Sequence, residues 1–180
     1  MSHNHTRPTP LKKRESTSSS REGRRTLGII GWREWVVLPD LGVSSIKTKV
    51  DTGARSSTLH AFNVRSIEIN GEAYVQFQVY PIQRNTSKVV EAIARVLEYR
   101  PVKSSSGQTS IRPVILTCVE LLGQKWEIEL TLANRDEMGF RMLLGRQAVR
   151  GRMLVNPGRS YLAGRPTGRS KSKHKSVSQG

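Results

Sequence analysis

Acidic residues, cysteine and histidine are all scarce in this chain. The 180 residues include one cysteine, four histidines and 14 acidic residues, against 30 lysines and arginines. A single cysteine cannot form an internal disulfide, which favours a reducing compartment. The sequence has no run of about twenty apolar residues that could span a bilayer, and no apolar leader segment follows Met1. These absences predict a cytoplasmic protein without a membrane span.

The same scarcity argues against several kinds of catalytic site. Catalytic zinc takes three protein ligands from His, Cys or carboxylates, and His60 is the only histidine between residues 27 and 166. We expect His60 to be structural and Cys118 to be a buried small apolar residue. A phosphate-binding Gly-x-x-x-x-Gly-Lys loop and a Gly-x-Ser-x-Gly elbow are both absent. The sequence therefore predicts no metal site, no cofactor and no serine or cysteine triad.

The net charge of +16 is spread over three regions. Residues 1–26 and 167–180 are rich in Ser, Lys and Arg and poor in large apolar residues, which is typical of disordered segments. We predict one folded domain at residues 27–166 between two disordered basic tails. The tails are either solvated or attach weakly to RNA, the ribosome or anionic lipid.

The most informative motif is Asp51-Thr52-Gly53-Ala54, which follows an alternating strand pattern at residues 46–50. Asp supplies a carboxylate, Thr a hydroxyl that can bond to a partner loop, and Gly a sharp turn without a Cβ. A second segment far downstream, Met142-Leu143-Leu144-Gly145, is typical of the strand that passes beneath such a loop in acid proteases. We expect the two segments to lie close together.

The motifs resemble a bacterial family known as ATP-dependent zinc proteases, which is also described as retropepsin-like and includes the RimB-type proteases. The resemblance runs from about residue 28 to 162 and rests on matching segments in the same order: 31–36, 49–57, 104–107, 112–114, 126–135 and 143–146. It implies an all-β fold, a closed retropepsin-like acid-protease barrel with one short helix. It also implies an aspartic peptidase associated with ATP-grasp glutamate ligases and acting on glutamate tails. The expected Val-Asp-Pro of relatives is here Val155-Asn156-Pro157.

Local signals divide the chain into strands and turns. Asn70-Gly71 and Gly123-Gln124 predict two hairpins, formed by residues 64–79 and 114–132. A short helix is expected at about 146–150 and a strand at 153–155. Residues 87–99 fit both helical and strand periodicity. We expect a strand there, because the resemblance requires one that rises toward a flap hairpin.

Asp51, Thr52 and Gly53 are the predicted catalytic residues. Asp-Thr-Gly occurs once, so an aspartic mechanism requires a homodimer in which each chain contributes one Asp51. The predicted substrate-binding residues combine a small, flexible flap with flanking cations suited to an acidic peptide or protein; they are Arg55, Arg100, Lys103, Ser104, Ser105, Ser106, Gly107, Arg141 and Arg146. Two alternatives stay open: a non-catalytic, retropepsin-shaped module that binds ribosomal protein or RNA, and a zinc-dependent peptidase.

Overall fold

The described residues form an all-β structure. The computed structural model describes residues 27–83, 85, 87–103, 107, 109–134 and 139–166. Over these ranges there are eleven strands, one α-helix and a 3-10 turn at Pro39–Leu41. The strands are β1 (Gly28–Gly31), β2 (Arg33–Leu38), β3 (Val43–Asp51), β4 (Ser57–His60), β5 (Phe62–Ile69), β6 (Glu72–Val79), β7 (Val90–Lys103), β8 (Thr109–Leu121), β9 (Gln124–Ala133), β10 (Met142–Gly145) and β11 (Met153–Asn156), and the helix is α1 (Arg146–Val149). The predicted all-β architecture with one short helix is confirmed. In the described ranges, no helix is long and apolar enough to cross a bilayer.

Nine strands form one sheet in the order β2-β3-β10-β4-β9-β8-β7-β6-β5, and β1 pairs in parallel with β11 in a separate sheet. A further pairing between Val37 of β2 and Glu120 of β8 joins the first strand to the sixth, so six strands form a ring. Two pairings in the ring, β3 with β10 and β4 with β9, are parallel. Parallel neighbours need long connections, so residues far apart in sequence meet at the same strand ends.

Alternating burial along the strands builds the core. In β6, for example, Val75, Phe77 and Val79 are buried while the residues between them are partly exposed. Successive side chains of a strand point to opposite faces, so this pattern gives β6 one core face. The largest apolar side chains that are almost completely buried come from most of the strands: Phe77, Ile30, Leu38, Ile46, Leu59, Ile115, Leu130, Leu132, Met142 and Leu144.

The ambiguous segment at residues 87–99 forms the expected strand from Val90 onward. β7 pairs with β6 from Val90 to Arg95 and with β8 from Val96 onward. Ala92 is buried and Ala94 and Val96 are partly buried, while Ile93 is 52% exposed. Backbone pairing along β7, first with β6 and then with β8, therefore decides the conformation over the local helical spacing.

The two predicted hairpins are present, with one correction to a turn. Asn70 and Gly71 both have positive φ, at 52° and 78°, as the preferred two-residue hairpin turn requires. The second turn consists of Leu122 and Gly123, with φ of 51° and 71°, rather than Gly123 and Gln124. The sequence pattern did not indicate that a leucine would take the first left-handed position.

Two strands were not predicted. β1 consists of two glycines around two isoleucines, and β4 of the small and hydroxylated residues after the Asp51 loop. Both form because neighbouring strands supply partners: β11 for β1, and β10 and β9 for β4. The two basic tails lie outside the described residues, and the domain bounds at 27 and 166 stay predictions.

Candidate active site

Asp51 is the last residue of β3 and is partly exposed. Its Oδ1 accepts hydrogen bonds from the backbone N–H groups of Gly53 and Ala54, both at 3.1 Å. A Cβ on Gly53 would lie 3.3 Å from the same oxygen, so a side chain there would be tightly packed against the carboxylate, which glycine avoids. Among the described residues, Oδ2 has no hydrogen-bond partner. The loop therefore fixes the carboxylate while keeping one oxygen available.

Strand β10 runs beneath this loop, as the sequence predicted. It pairs in parallel with β3 so that Gly145 lies opposite Asp51. A Cβ on Gly145 would lie 2.4 Å from the carbonyl carbon of Ser56, a distance that real side chains do not reach. The Gly145 N–H donates to the Ser57 hydroxyl at 3.1 Å. Glycine is thus required for the two segments to pack.

The start of α1 ties the loop from the other side. The N–H of Arg146 donates to the carbonyl of Ala54 at 2.8 Å, and the N–H of Gln147 to that of Arg55 at 3.1 Å. The Arg146 side chain also donates to the carbonyl of Thr52 at 3.0 Å. These bonds join segments over ninety positions apart in the sequence. They hold the Asp51 loop in one position, and a fixed carboxylate of this kind is preorganised in the way that catalysis requires.

The structure brings only some of the predicted cations to Asp51. Arg55 and Arg146 belong to the loop and to its support, and both are exposed. Arg141 precedes the opposite end of β10, four residues from Gly145, which is about 13 Å at the usual rise of a strand. Its guanidinium lies over the rings of Phe62 and Tyr80, at 5.4 and 5.8 Å. Within one chain, Arg141 therefore belongs to a different surface.

Arg100 is engaged by two carboxylates. It donates to Glu129 at 2.9 Å and to Glu98 at 2.6 Å, and the bond to Glu129 is the largest cause that raises the pKa of this guanidinium. Lys103 is the last residue of β7 and pairs with Thr109, and Gly107 is exposed with φ of 83°. The other predicted flap residues, Ser104, Ser105 and Ser106, lie outside the described residues.

A cavity that the sequence did not indicate opens beside the Asp51 loop. Its volume is about 220 Å³, and its lining combines loop, helix and strand residues: Ser56, Ser57, Leu116, Glu127, Ile128, Glu129, Gln147 and Ala148. The charged members are two glutamates, of which Glu129 is paired with Arg100, whereas Arg55 and Arg146 provide a basic rim at the loop. Neighbouring strands create this contrast, and no single segment of sequence carries it.

The residues present do not fit a zinc site. Over the described ranges, no group of three or more His, Cys, Asp or Glu side chains is close enough to hold a metal ion. His60 is buried and packs edge to face against Phe62 with ring centroids 4.2 Å apart. Cys118 is only partly buried, which corrects the expectation of a buried residue, and its N–H donates to the Asp40 carboxylate at 2.7 Å.

Known proteins resemble this chain in sequence and in shape. Residues 29–166 match the RimB-like family model, described as "Retropepsin-like aspartic endopeptidase RimB". The chain is 46% identical over 136 residues to proteins named "Probable alpha-L-glutamate ligase" from Shewanella pealeana and Shewanella halifaxensis. The match covers 76% of this chain but only 30% of each of those proteins, so the chain spans less than a third of their length.

A solved structure is also similar. It is a crystal structure of a Legionella pneumophila protein of unknown function, with a TM-score of 0.64 and 27% sequence identity. The match covers 77% of this chain and 99% of that one. Because the family model matches well over half of the chain, the chain belongs to the RimB-like family of retropepsin-like aspartic endopeptidases.

Proposed function

We propose that this protein is an aspartic endopeptidase that acts as a homodimer and cleaves glutamate-rich peptide or protein tails. The observation that carries the proposal is the Asp51 carboxylate, held at a strand end by two amides, with Oδ2 left for a further partner. The six-stranded ring supports a closed acid-protease barrel as the frame of the site. A cytoplasmic location stays a prediction.

The chemistry requires a second carboxylate. Two carboxylates about 3 Å apart share one proton, because both are not ionised at that distance. The ionised member takes a proton from water, and the protonated member polarises the peptide carbonyl. The apparent pKa values then belong to the pair and not to either residue.

A symmetric copy of the chain is the source of the second carboxylate in this proposal. Asp-Thr-Gly occurs once in the sequence, and a twofold axis brings the same residue of both copies together. Asp40 is unsuitable as an internal partner because it precedes the start of β3 whereas Asp51 is the last residue of that strand, and the strand spans about 26 Å at the usual rise. Thr52 and Gly53 are exposed beside Asp51 and available to a facing loop.

An acidic substrate follows from two observations. Arg55 and Arg146 are exposed at the loop, and cation–carboxylate hydrogen bonds are stronger than neutral ones. Relatives that contain a matching segment are named glutamate ligases, so a glutamate chain is a reasonable common substrate. We therefore assign Arg55 and Arg146 to substrate binding. The roles of Arg100, Lys103, Gly107, Arg141 and the three flap serines stay predictions.

The test is a cleavage assay on a peptide with a polyglutamate tail, at several protein concentrations. Asp51→Asn keeps the shape of the side chain and removes the ionisable group, so the rate should fall by about 10²–10⁴. Asp40→Asn, the matched control, should leave cleavage unchanged. Wild-type activity per chain should fall on dilution, because a monomer holds half a site.

The other outcomes separate the alternatives. Full activity of Asp51→Asn would refute the aspartic mechanism. Full activity in a proven monomer would refute the shared dyad. Tight binding of the peptide without any cleavage would favour the non-catalytic module, and loss of activity on chelation together with stoichiometric zinc would favour a metallopeptidase.

A further inference from the structure

A row of cations and aromatic rings crosses the outer face of β2 and β3. We call it the cation–aromatic ladder; its members are Trp32, Arg33, Tyr161, Lys47, Trp35 and Arg165, and the rings of Tyr161 and Trp35 also contact each other directly, with centroids 6.2 Å apart. The Arg33 guanidinium lies 4.6 Å from the Trp32 ring centroid and 5.1 Å from that of Tyr161. The Lys47 ammonium lies 5.8 Å from Tyr161 and 5.1 Å from Trp35, and the Arg165 guanidinium 4.7 Å from Trp35. Three separate parts of the chain therefore build one continuous row.

The ladder carries positive charge that nothing within the described chain neutralises. Arg33 lies directly opposite Lys49, and Trp35 opposite Lys47, across the β2–β3 pairing. Like charges directly opposite each other destabilise a sheet. Over the described ranges, Arg33, Lys47, Lys49 and Arg165 form no ion pair with a carboxylate, because the ion pairs found there involve Arg95 and Arg100. An external anion would relieve this repulsion.

Attaching the C-terminal segment does not by itself explain these cations. The Tyr161 N–H already donates to the carbonyl of Arg33 at 2.9 Å. The Glu34 carboxylate accepts the N–H groups of Leu162 and Ala163 at 2.9 and 3.2 Å. The segment is thus held by its backbone N–H groups, which donate to the Arg33 carbonyl and the Glu34 carboxylate, and by the Arg33 side chain, which donates to the Ser160 hydroxyl at 3.0 Å. The exposed Lys49 and Arg165 make none of these bonds.

A cavity of about 230 Å³ opens at the Trp35 end of the ladder. Trp35, Val37 and Ala163 line it together with the glycines of two turns, and Glu120 adds a single carboxylate. This combination suits a nucleobase, since the Trp35 indole offers an aromatic contact beside Lys47 and Arg165, and a glutamate accepts a hydrogen bond from the exocyclic amine of cytosine. The same carboxylate would repel a glutamate tail.

We propose that the ladder and this cavity bind single-stranded RNA, with phosphates along the cations and one base beside Trp35. Proteins that bind single strands combine a basic track with aromatic rings on which bases stack. A single strand is favoured over duplex RNA because its unpaired bases can stack on aromatic rings and present their edges, which the deep, narrow major groove of an RNA duplex prevents. In the sequence, four more cations and no acid follow between residues 167 and 180, which extends the positive charge beyond Arg165.

The test measures binding of a labelled oligocytidylate of about twelve nucleotides to the full-length protein by fluorescence anisotropy. The double variant Lys49→Gln/Arg165→Gln removes two exposed charges, that of the ladder member Arg165 and that of Lys49, which lies opposite Arg33. At about 100 mM salt it should bind roughly tenfold more weakly, and its salt slope should fall by about 1.4, for two lost phosphate contacts. The matched control Arg65→Gln/Lys88→Gln removes the same charge from other exposed sites and should keep the wild-type slope.

Two further measurements locate the base. Glu120→Gln should reduce the preference for oligocytidylate over oligouridylate severalfold, because a carboxylate accepts from the cytosine amine. Photo-crosslinking should label peptides that contain Trp35 or Tyr161. Both readouts are independent of peptide cleavage.

Several results would overturn the proposal. These are equal weakening by the control pair, crosslinks confined to residues 1–26 and 167–180, and binding of single-stranded DNA as tight as that of RNA. Stronger binding of a polyglutamate peptide than of RNA at the ladder would reassign this face to the acidic substrate. Absence of RNA binding at low salt would refute the proposal that the ladder binds RNA.

Discussion

Two carboxylates in this protein, those of Glu34 and Asp51, are held in opposite ways. Glu34 is 0% exposed, and its two oxygens accept N–H bonds from Gly31 at 2.6 Å and from Leu162 and Ala163. Asp51 is partly exposed, and its two bonds come from its own loop and fall on one oxygen. Glu34 joins distant segments of chain, whereas Asp51 joins nothing beyond its turn.

The difference shows how one chain assigns a structural role to one carboxylate and leaves another available for reaction. A buried carboxylate whose bonds come from segments 128 and 129 positions away stabilises tertiary structure. The Asp51 carboxylate is different, because backbone hydrogen bonds of the surrounding loop provide its tertiary support. Its second oxygen can therefore take part in a reaction without loss of the bonds that hold the loop. Stability should therefore depend on Glu34 and activity on Asp51.

The largest expected effect on stability is that of Glu34→Ala. The change leaves three buried or partly buried N–H groups without their acceptor, so the free energy of unfolding should fall by about 3 kcal/mol or more. Asp51→Ala should change it by less than about 1 kcal/mol, since exposed positions contribute little. Urea unfolding monitored by tryptophan fluorescence measures both. Equal losses for the two variants would remove the distinction between them.

Gly145→Ala tests whether the Asp51 loop is supported through the backbone. The added Cβ would lie 2.4 Å from a backbone carbon, so β10 or the loop must shift, at a cost of about 1–3 kcal/mol. A displacement of about 1 Å should also lower the cleavage rate about 10²-fold. The control is Gly139→Ala, where a Cβ would meet nothing within 4 Å. Wild-type cleavage by Gly145→Ala would show that the loop tolerates movement.

Ser57→Ala probes a single bond of the same support. Its hydroxyl accepts the buried Gly145 N–H, so its removal should lower the free energy of unfolding by about 1–2 kcal/mol. Ser66→Ala is a matched control that loses an exposed bond to Tyr99 and should cost less than about 0.5 kcal/mol. If the two losses proved equal in urea unfolding, burial would not be what makes the Ser57 bond important.

The smallest effect concerns a third carboxylate, Asp40, which is exposed and holds the Cys118 N–H. Burial, and then the hydrogen bond and charge of Asp40, raise the pKa of the Cys118 thiol. Alkylation by iodoacetamide should therefore rise with pH over a higher range than for an ordinary thiol. Asp40→Asn should move this profile to lower pH by a modest amount, because burial is the larger cause.

Lys125→Gln provides the opposite control, because the charge of Lys125 lowers the pKa of the same thiol. Its alkylation profile should move to higher pH. A shift of both variants in the same direction would contradict the electrostatic explanation.

The site was predictable where its signal is local. Asp-Thr-Gly-Ala after an alternating strand, and Leu-Leu-Gly before a short helix, each occupy a few consecutive residues. Their predicted proximity is confirmed by the pairing of Asp51 with Gly145. The all-β architecture, the hairpin at Asn70-Gly71 and the extended segment at 87–99 follow from turn residues and period-two patterns in the same way.

Local patterns did not predict which of Arg141 and Arg146 lies near Asp51. They flank the same four-residue strand, and nothing in composition distinguishes them. Only the parallel pairing of β10 with β3 decides that one lies at the Asp51 loop and the other over Phe62. The direction of pairing depends on long-range packing, which a local pattern does not encode.

The sequence by itself determined the Asp51-Thr52-Gly53-Ala54 motif, the all-β class and the excess of positive charge. Tertiary structure alone decided that Glu34 faces the core beside Val36 while Arg33 and Trp35 face outward, since β2 carries apolar residues on both faces. It alone placed Arg33 and Tyr161, 128 positions apart, in one ladder. The physical reason is that alternation fixes which residues share a face, whereas only the assembled sheet fixes which face is buried and what covers the other.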